Sequence, residues 1–121
     1  MKKKAYKWFL VIVWASFIFF LSHQPGLESG LAAQWDFFLR KLAHISEYTI
    51  LTLLLINALK EQGLSRKKIL LLAISLAFFY AISDEYHQTF ILGRNGTFRD
   101  VLIDSSGIFL AAWLKNKKMI K

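Results

Sequence analysis

"ILLLAISLAFFYAISDEYHQ", residues 69–88, runs fifteen residues with nothing more polar than Ser75, Tyr80 and Ser83, then sets Asp84 and Glu85 side by side. A helix needs about 20 largely apolar residues to cross a bilayer core. The whole stretch, residues 69–88, has that length, yet its far end carries two carboxylates. Which fold the chain adopts turns on whether other segments repeat this pattern.

They do. Tyr6 to Leu21, apolar except for Lys7 and Ser16, Leu42 to Leu59, with a few polar residues near its start, and Val101 to Leu114, with Asp104 and two serines inside it, are further apolar blocks. The hydrophobic fraction of the 121 residues is 55%, gathered in these blocks rather than spread evenly. None has the broad charged face that a soluble bundle needs. The expectation is therefore a single all-α domain over residues 1–121, an integral membrane four-helix bundle with helices roughly at 5–22, 36–60, 66–92 and 98–115. Lys2, Lys3 and Lys4 ahead of an apolar stretch, with Gly30-Leu-Ala beyond it, also look like a secretory signal. Pro25 and Gly26 separate that cleavage-like site from the apolar run, so an uncleaved helix is expected.

Charge sets the orientation. Net charge is +8, which in a soluble chain would raise nucleic acid as a partner; here the bases sit at helix ends instead. Four precede the first helix (Lys2, Lys3, Lys4, Lys7), four join the second to the third (Lys60, Arg66, Lys67, Lys68) and four follow the fourth (Lys115, Lys117, Lys118, Lys121). The other side holds only Arg40, Lys41, Arg94 and Arg99, against seven of the eight acids. The positive-inside rule places both termini in the cytoplasm. Gly63 is positioned to end the second helix and Gly93 the third. Thr97-Phe-Arg-Asp100 has capping-box spacing for the fourth. Residues 29–39 have Leu31, Trp35, Phe38 and Leu39 at the spacing of an interfacial helix. Gly107 and Ala111 form a small-xxx-small pair suited to close helix approach.

Counting 1.5 Å per residue from the basic anchors puts the polar groups at one depth. Asp84 lies roughly 24 Å above Lys68, Asp100 about 22 Å and Asp104 about 16 Å above Lys115. His44 and Glu47 lie about 24 and 20 Å above Lys60, and Ser22 and His23 about 22 to 24 Å above Lys7. The inner half offers only Asn57. Lys41, His44 and Tyr48 share a helix face, as do Asp84 with Gln88 and Asp100 with Asp104. A charge in hydrocarbon costs roughly 2.5 to 3.5 kcal/mol even on lenient insertion scales, so these groups are expected to face one another or a wet, outward-opening pocket. The rival reading is an ion-paired network that holds the helices in register, with Asp84 or Asp100 paired to Lys41, Arg94 or Arg99. Ser105 and Ser106 are expected to bond their own backbone, and Phe17, Phe19 and Phe20 to face lipid.

Three stretches, "SHQPG" (22–26), "KLAHISEYTIL" (41–51) and "YAISDEYHQTFILGRNGTFRDVLIDSSG" (80–107), resemble the VanZ-like family. These are small bacterial membrane proteins named for an accessory teicoplanin (glycopeptide) resistance protein. The resemblance implies a bacterial plasma-membrane location and Lys41, His44, Tyr48, Asp84, Glu85, Gln88, Arg94, Asp100 and Asp104 as signature positions. Members often have Pro where this chain has Leu92, and many have Asn at the place of Asp104.

Two main functions stay open. One is a ligand-binding pocket, formed by these nine residues with Arg99, that handles an anionic membrane lipid, lipid-linked cell-wall precursor or glycopeptide headgroup. Arg94 and Arg99 would clamp phosphate or carboxylate bidentately. The other is a membrane-embedded hydrolase or transferase, with His44, Asp84, Glu85 and Asp100 as acid, base or ligands of a divalent cation. No nucleophile elbow, phosphate loop or metalloprotease helix is present, and cysteine is absent. A proton pathway or transporter is a weaker fit, because the polar groups stop halfway.

Overall fold

A computed structural model describes residues 2–23, 33–90 and 98–120. Four long helices make up nearly all of it: α1 (Lys2–His23), α2 (Ala33–Leu59), α3 (Arg66–Gln88) and α4 (Phe98–Ile120). No strand occurs among the described residues. The all-α bundle expected from the four apolar blocks is therefore what forms.

The junctions follow local chemistry. α2 tightens into a single 3-10 turn, Lys60–Gln62, and Gly63 ends it at φ 73°, a left-handed conformation that only glycine adopts without strain. Ser65 then caps α3, its hydroxyl accepting from the Lys68 N–H at 3.4 Å. This short connection makes α2 and α3 antiparallel neighbours.

Helix bounds differ from the expected ones in instructive places. α3 stops at Gln88, not near residue 92. The Thr89 hydroxyl donates to the Tyr86 carbonyl at 2.6 Å, and the Phe90 N–H reaches only the His87 carbonyl, so the chain leaves the α-helical register. Gly93 and the Thr97 cap lie outside the described residues. Residues 33–39 do not form a separate interfacial helix; they are the first turns of α2, with Trp35, Phe38 and Leu39 exposed. α4 runs on to Ile120, five residues past its expected end.

Cross-helix contacts fix the topology. α2 and α4 run parallel at an offset of 58 to 60 residues: Lys41 meets Asp100, His44 meets Asp104, Thr49 meets Gly107, and Asn57 meets Lys115. α1 and α3 run the other way, with Tyr80 donating to the Ala15 carbonyl and Phe19 stacked on His87. The Lys7–Glu61 ion pair, 2.7 Å, ties the start of α1 to the end of α2. All the lysine-rich helix ends therefore gather at one end of the bundle, and the buried acids lie toward the other.

The core is built from small and branched residues. Ile69, Ala73, Ala77 and Ala81 form a buried ladder at i, i+4 spacing along α3. Gly107 lies against α2 so closely that an added Cβ would overlap the Ile45 carbonyl and come within 2.9 Å of Thr49 Oγ1. The small-residue contact expected at Gly107 is thus real. Outside, large apolar side chains cover the surface, among them Phe9, Ile12, Phe17, Phe20, Leu71 and Phe79. Such coverage is untenable for a surface facing water. α1, α2 and α3 are each long and apolar enough to cross a membrane, through Lys4–Leu21, Phe38–Gln62 and Arg66–His87. α4 has the length but not the apolarity, because Arg99, Asp100 and Asp104 fall inside it. Its acids are buried against α2 and α3 rather than turned outward.

Candidate functional site

The α3 ladder explains how the acid pair is delivered. Continuing Ile69, Ala73, Ala77 and Ala81 by one more step of four reaches Glu85, so the face that packs the core also carries this carboxylate inward. Asp84, one residue earlier, flanks the same face. Both are buried, at 2% and 4% exposure. On α4 the buried positions Asp100, Val101, Asp104, Ser105 and Ile108 follow a helical stripe that faces α2. α2 answers with Lys41, His44 and Tyr48.

Three cross-helix pairs result. Lys41 Nζ forms an ion pair with Asp100 Oδ1, largely shielded from the surface. His44 Nδ1 lies 3.0 Å from Asp104 Oδ1, the distance of an imidazole–carboxylate hydrogen bond. Tyr48, fully buried, donates its hydroxyl to Asp84 Oδ2 at 3.1 Å. One ligand atom from each of His44, Asp84, Glu85 and Asp104 lies within 4.8 Å of the other three. Residues remote in sequence, on three helices, thus converge on one small volume. Asp104 is completely buried, and its Oδ2 has no hydrogen-bond partner among the described residues.

Arg94 lies outside the described residues, as do the side chains of Gln88 and Arg99. The backbone sets Gln88 at the end of α3 and Arg99 in the first turn of α4. Ser105 and Ser106 donate to the carbonyls of Val101 and Ile103, as their backbone-bonding reading required. Lys115 donates to Asn57 Oδ1 at 3.0 Å near the basic end, well away from the acids.

Sequence reading missed a supporting layer. Tyr80 sits one turn below Asp84, its ring edge-on to Tyr48 with centroids 6.3 Å apart, and it anchors α1 through the Ala15 carbonyl. Trp14 donates its indole N–H to the Glu47 carbonyl at 2.9 Å. The i−4 placement of Tyr80 relative to Asp84 was the available signal; Trp14, alone in an apolar run, gave none.

As chemistry, the arrangement is a buried set of carboxylates with one imidazole inside the set and one lysine at its edge. Such a set binds cations, relays protons, or accepts hydroxyl and ammonium donors from a ligand. No curated protein and no solved structure matches the chain. The VanZ/LLP1 family model matches residues 7–116, nearly its whole length. The chain belongs to the VanZ/LLP1 family.

Proposed function

We infer that this VanZ-like protein is a multi-pass protein of the bacterial plasma membrane that binds or handles an anionic cell-envelope headgroup at its acid-rich end. In this reading α4 completes a four-span bundle, both termini are cytoplasmic, and the polar belt faces the outer leaflet. The observation that carries it is the clustering of the Lys41–Asp100, His44–Asp104 and Tyr48–Asp84 pairs toward one end of the bundle. Intramembrane ionisable groups are expensive, and a site is the usual return on that expense. The carboxylates would hold hydroxyl or ammonium donors of a headgroup, while Lys41, Arg94 and Arg99 would meet its phosphate or carboxylate. The apolar exterior of α1 and α3 would lie along its acyl chains.

The test is headgroup selectivity. Full-length protein in nanodiscs should retain phosphatidylglycerol or undecaprenyl phosphate over phosphatidylcholine in native mass spectrometry. Glu85→Gln and Arg94→Lys should weaken that retention and change glycopeptide susceptibility of the host. Wild-type retention in both variants, with unaltered susceptibility, would refute the reading. A second reading, hydrolysis or group transfer on a lipid-linked headgroup, is favoured by the imidazole of His44 beside Asp104. It predicts a released product from the same lipids, abolished by His44→Ala.

A further inference from the structure

We propose that His44, Asp84, Glu85 and Asp104 bind one divalent cation of the Zn2+ or Mn2+ type between α2, α3 and α4. Their ligand atoms all stand within 4.8 Å of one another. Ligands bound to one Zn2+ at about 2.0–2.1 Å stand about 3.4 Å apart, so this set closes on an ion with shifts of less than about 1 Å per side chain.

Asp104 is a second and independent pointer. Its side chain has no exposed surface, and Oδ2 accepts no hydrogen bond among the described residues. A buried carboxylate oxygen left so is costly, and a cation satisfies it directly. Three carboxylates this close repel one another when ionised, and a cation among them removes that repulsion. The neighbours are arranged as an outer layer would be: Tyr48 donates to Asp84 Oδ2 and fixes that carboxylate, while Lys41 pairs with Asp100 beside the set. Donor type selects the ion. Carboxylates suit Mg2+, Ca2+ and Mn2+, whereas an imidazole suits Zn2+; a mixed set of this kind favours Zn2+, with Mn2+ served by the three carboxylates. Drawn from three helices, the ligands would make the ion a clamp on the acid-rich end and a positive centre to which a phosphate or carboxylate headgroup can bind. For that last role the proposal rests on the headgroup reading; ion binding itself is measured without lipid.

The experiment uses the full-length protein in detergent, stripped with a chelator and titrated calorimetrically with Zn2+, Mn2+, Mg2+ or Ca2+, with bound metal counted by elemental mass spectrometry. Expected is one Zn2+ or Mn2+ per chain, with a chelator-reversible rise in thermal midpoint. Asp84→Asn and Glu85→Gln should each weaken binding by at least about tenfold, whereas Glu61→Gln at the basic end stays within about twofold of wild type. Absence of saturable uptake, or uptake unchanged in both site variants, overturns the proposal. If neither variant folds, the wild-type thermal shift decides: none on ion addition overturns it. Phosphatidylglycerol retention that persists in chelator without ion uptake defeats the cation and leaves the headgroup reading standing. Ion uptake with no lipid selectivity does the reverse.

Discussion

Lys41 and Asp100 show what a single pair costs and contributes here. Both side chains are mostly withdrawn from the surface, at 19% and 11% exposure. Removing Lys41 leaves the Asp100 carboxylate buried without this cation, one helical turn from Asp104. Lys41→Met should therefore destabilise the protein by on the order of 3 kcal/mol. The double variant Lys41→Met with Asp100→Leu should recover most of that loss, because the stranded carboxylate is gone. Thermal midpoints of the purified proteins in one detergent check both outcomes. If the double variant is folded but no longer discriminates headgroups, the pair serves binding; full stability with unaltered binding would leave it a registration device. By contrast, Lys7–Glu61 at the basic end is more exposed and should contribute less than about 1 kcal/mol.

At the scale of elements, the α2–α4 contact is the most extensive in the bundle, and it is set by Gly107. The Thr49 hydroxyl shares its single proton between the Ile45 and Gly107 carbonyls, at 2.7 and 3.1 Å, filling the groove that the missing side chain leaves. A methyl group there meets a backbone carbonyl, which cannot rotate away. Gly107→Ala should cost about 1–3 kcal/mol, and Gly107→Val more, by forcing the helices apart. Because His44–Asp104 lies a turn from this contact, the same variants should weaken whatever the acid cluster binds. Unchanged thermal midpoints would show that the helices approach less closely. Much of this was legible beforehand: Gly107 and Ala111 announced a close contact, and Gly63 announced the end of α2. The end of α3 was not legible, since Thr89 competes for a carbonyl through its hydroxyl, a choice that nothing in the hydrophobic pattern records.

At the scale of the whole molecule, the gathering of lysine-rich ends at one pole matches the charge asymmetry that orients membrane proteins. The native chain has no cysteine, so single replacements report cleanly. Asn95→Cys should react with a membrane-impermeant maleimide in intact cells. Lys117→Cys and Gln62→Cys should react only after the cells are opened. Labelling of Lys117→Cys and Gln62→Cys in intact cells, with Asn95→Cys reacting only after opening, would reverse the proposed orientation, and labelling of all three in intact cells would refute the layout.

The sequence by itself determined the helices, their apolar character, the charge asymmetry between ends and the level at which polar residues recur. Each is a property of composition or spacing within one segment, readable at 1.5 Å per residue. Only the tertiary structure decided the partners. That Lys41 goes to Asp100, His44 to Asp104 and Tyr48 to Asp84 depends on the relative rotation and offset of three helices, which the Gly107 contact and the alanine ladder of α3 set. Local periodicity carries no information about rotation between helices; packing of small residues does. For that reason "ILLLAISLAFFYAISDEYHQ" announced a membrane helix with two acids at its end, and the fold alone turned those acids toward His44 and Asp104.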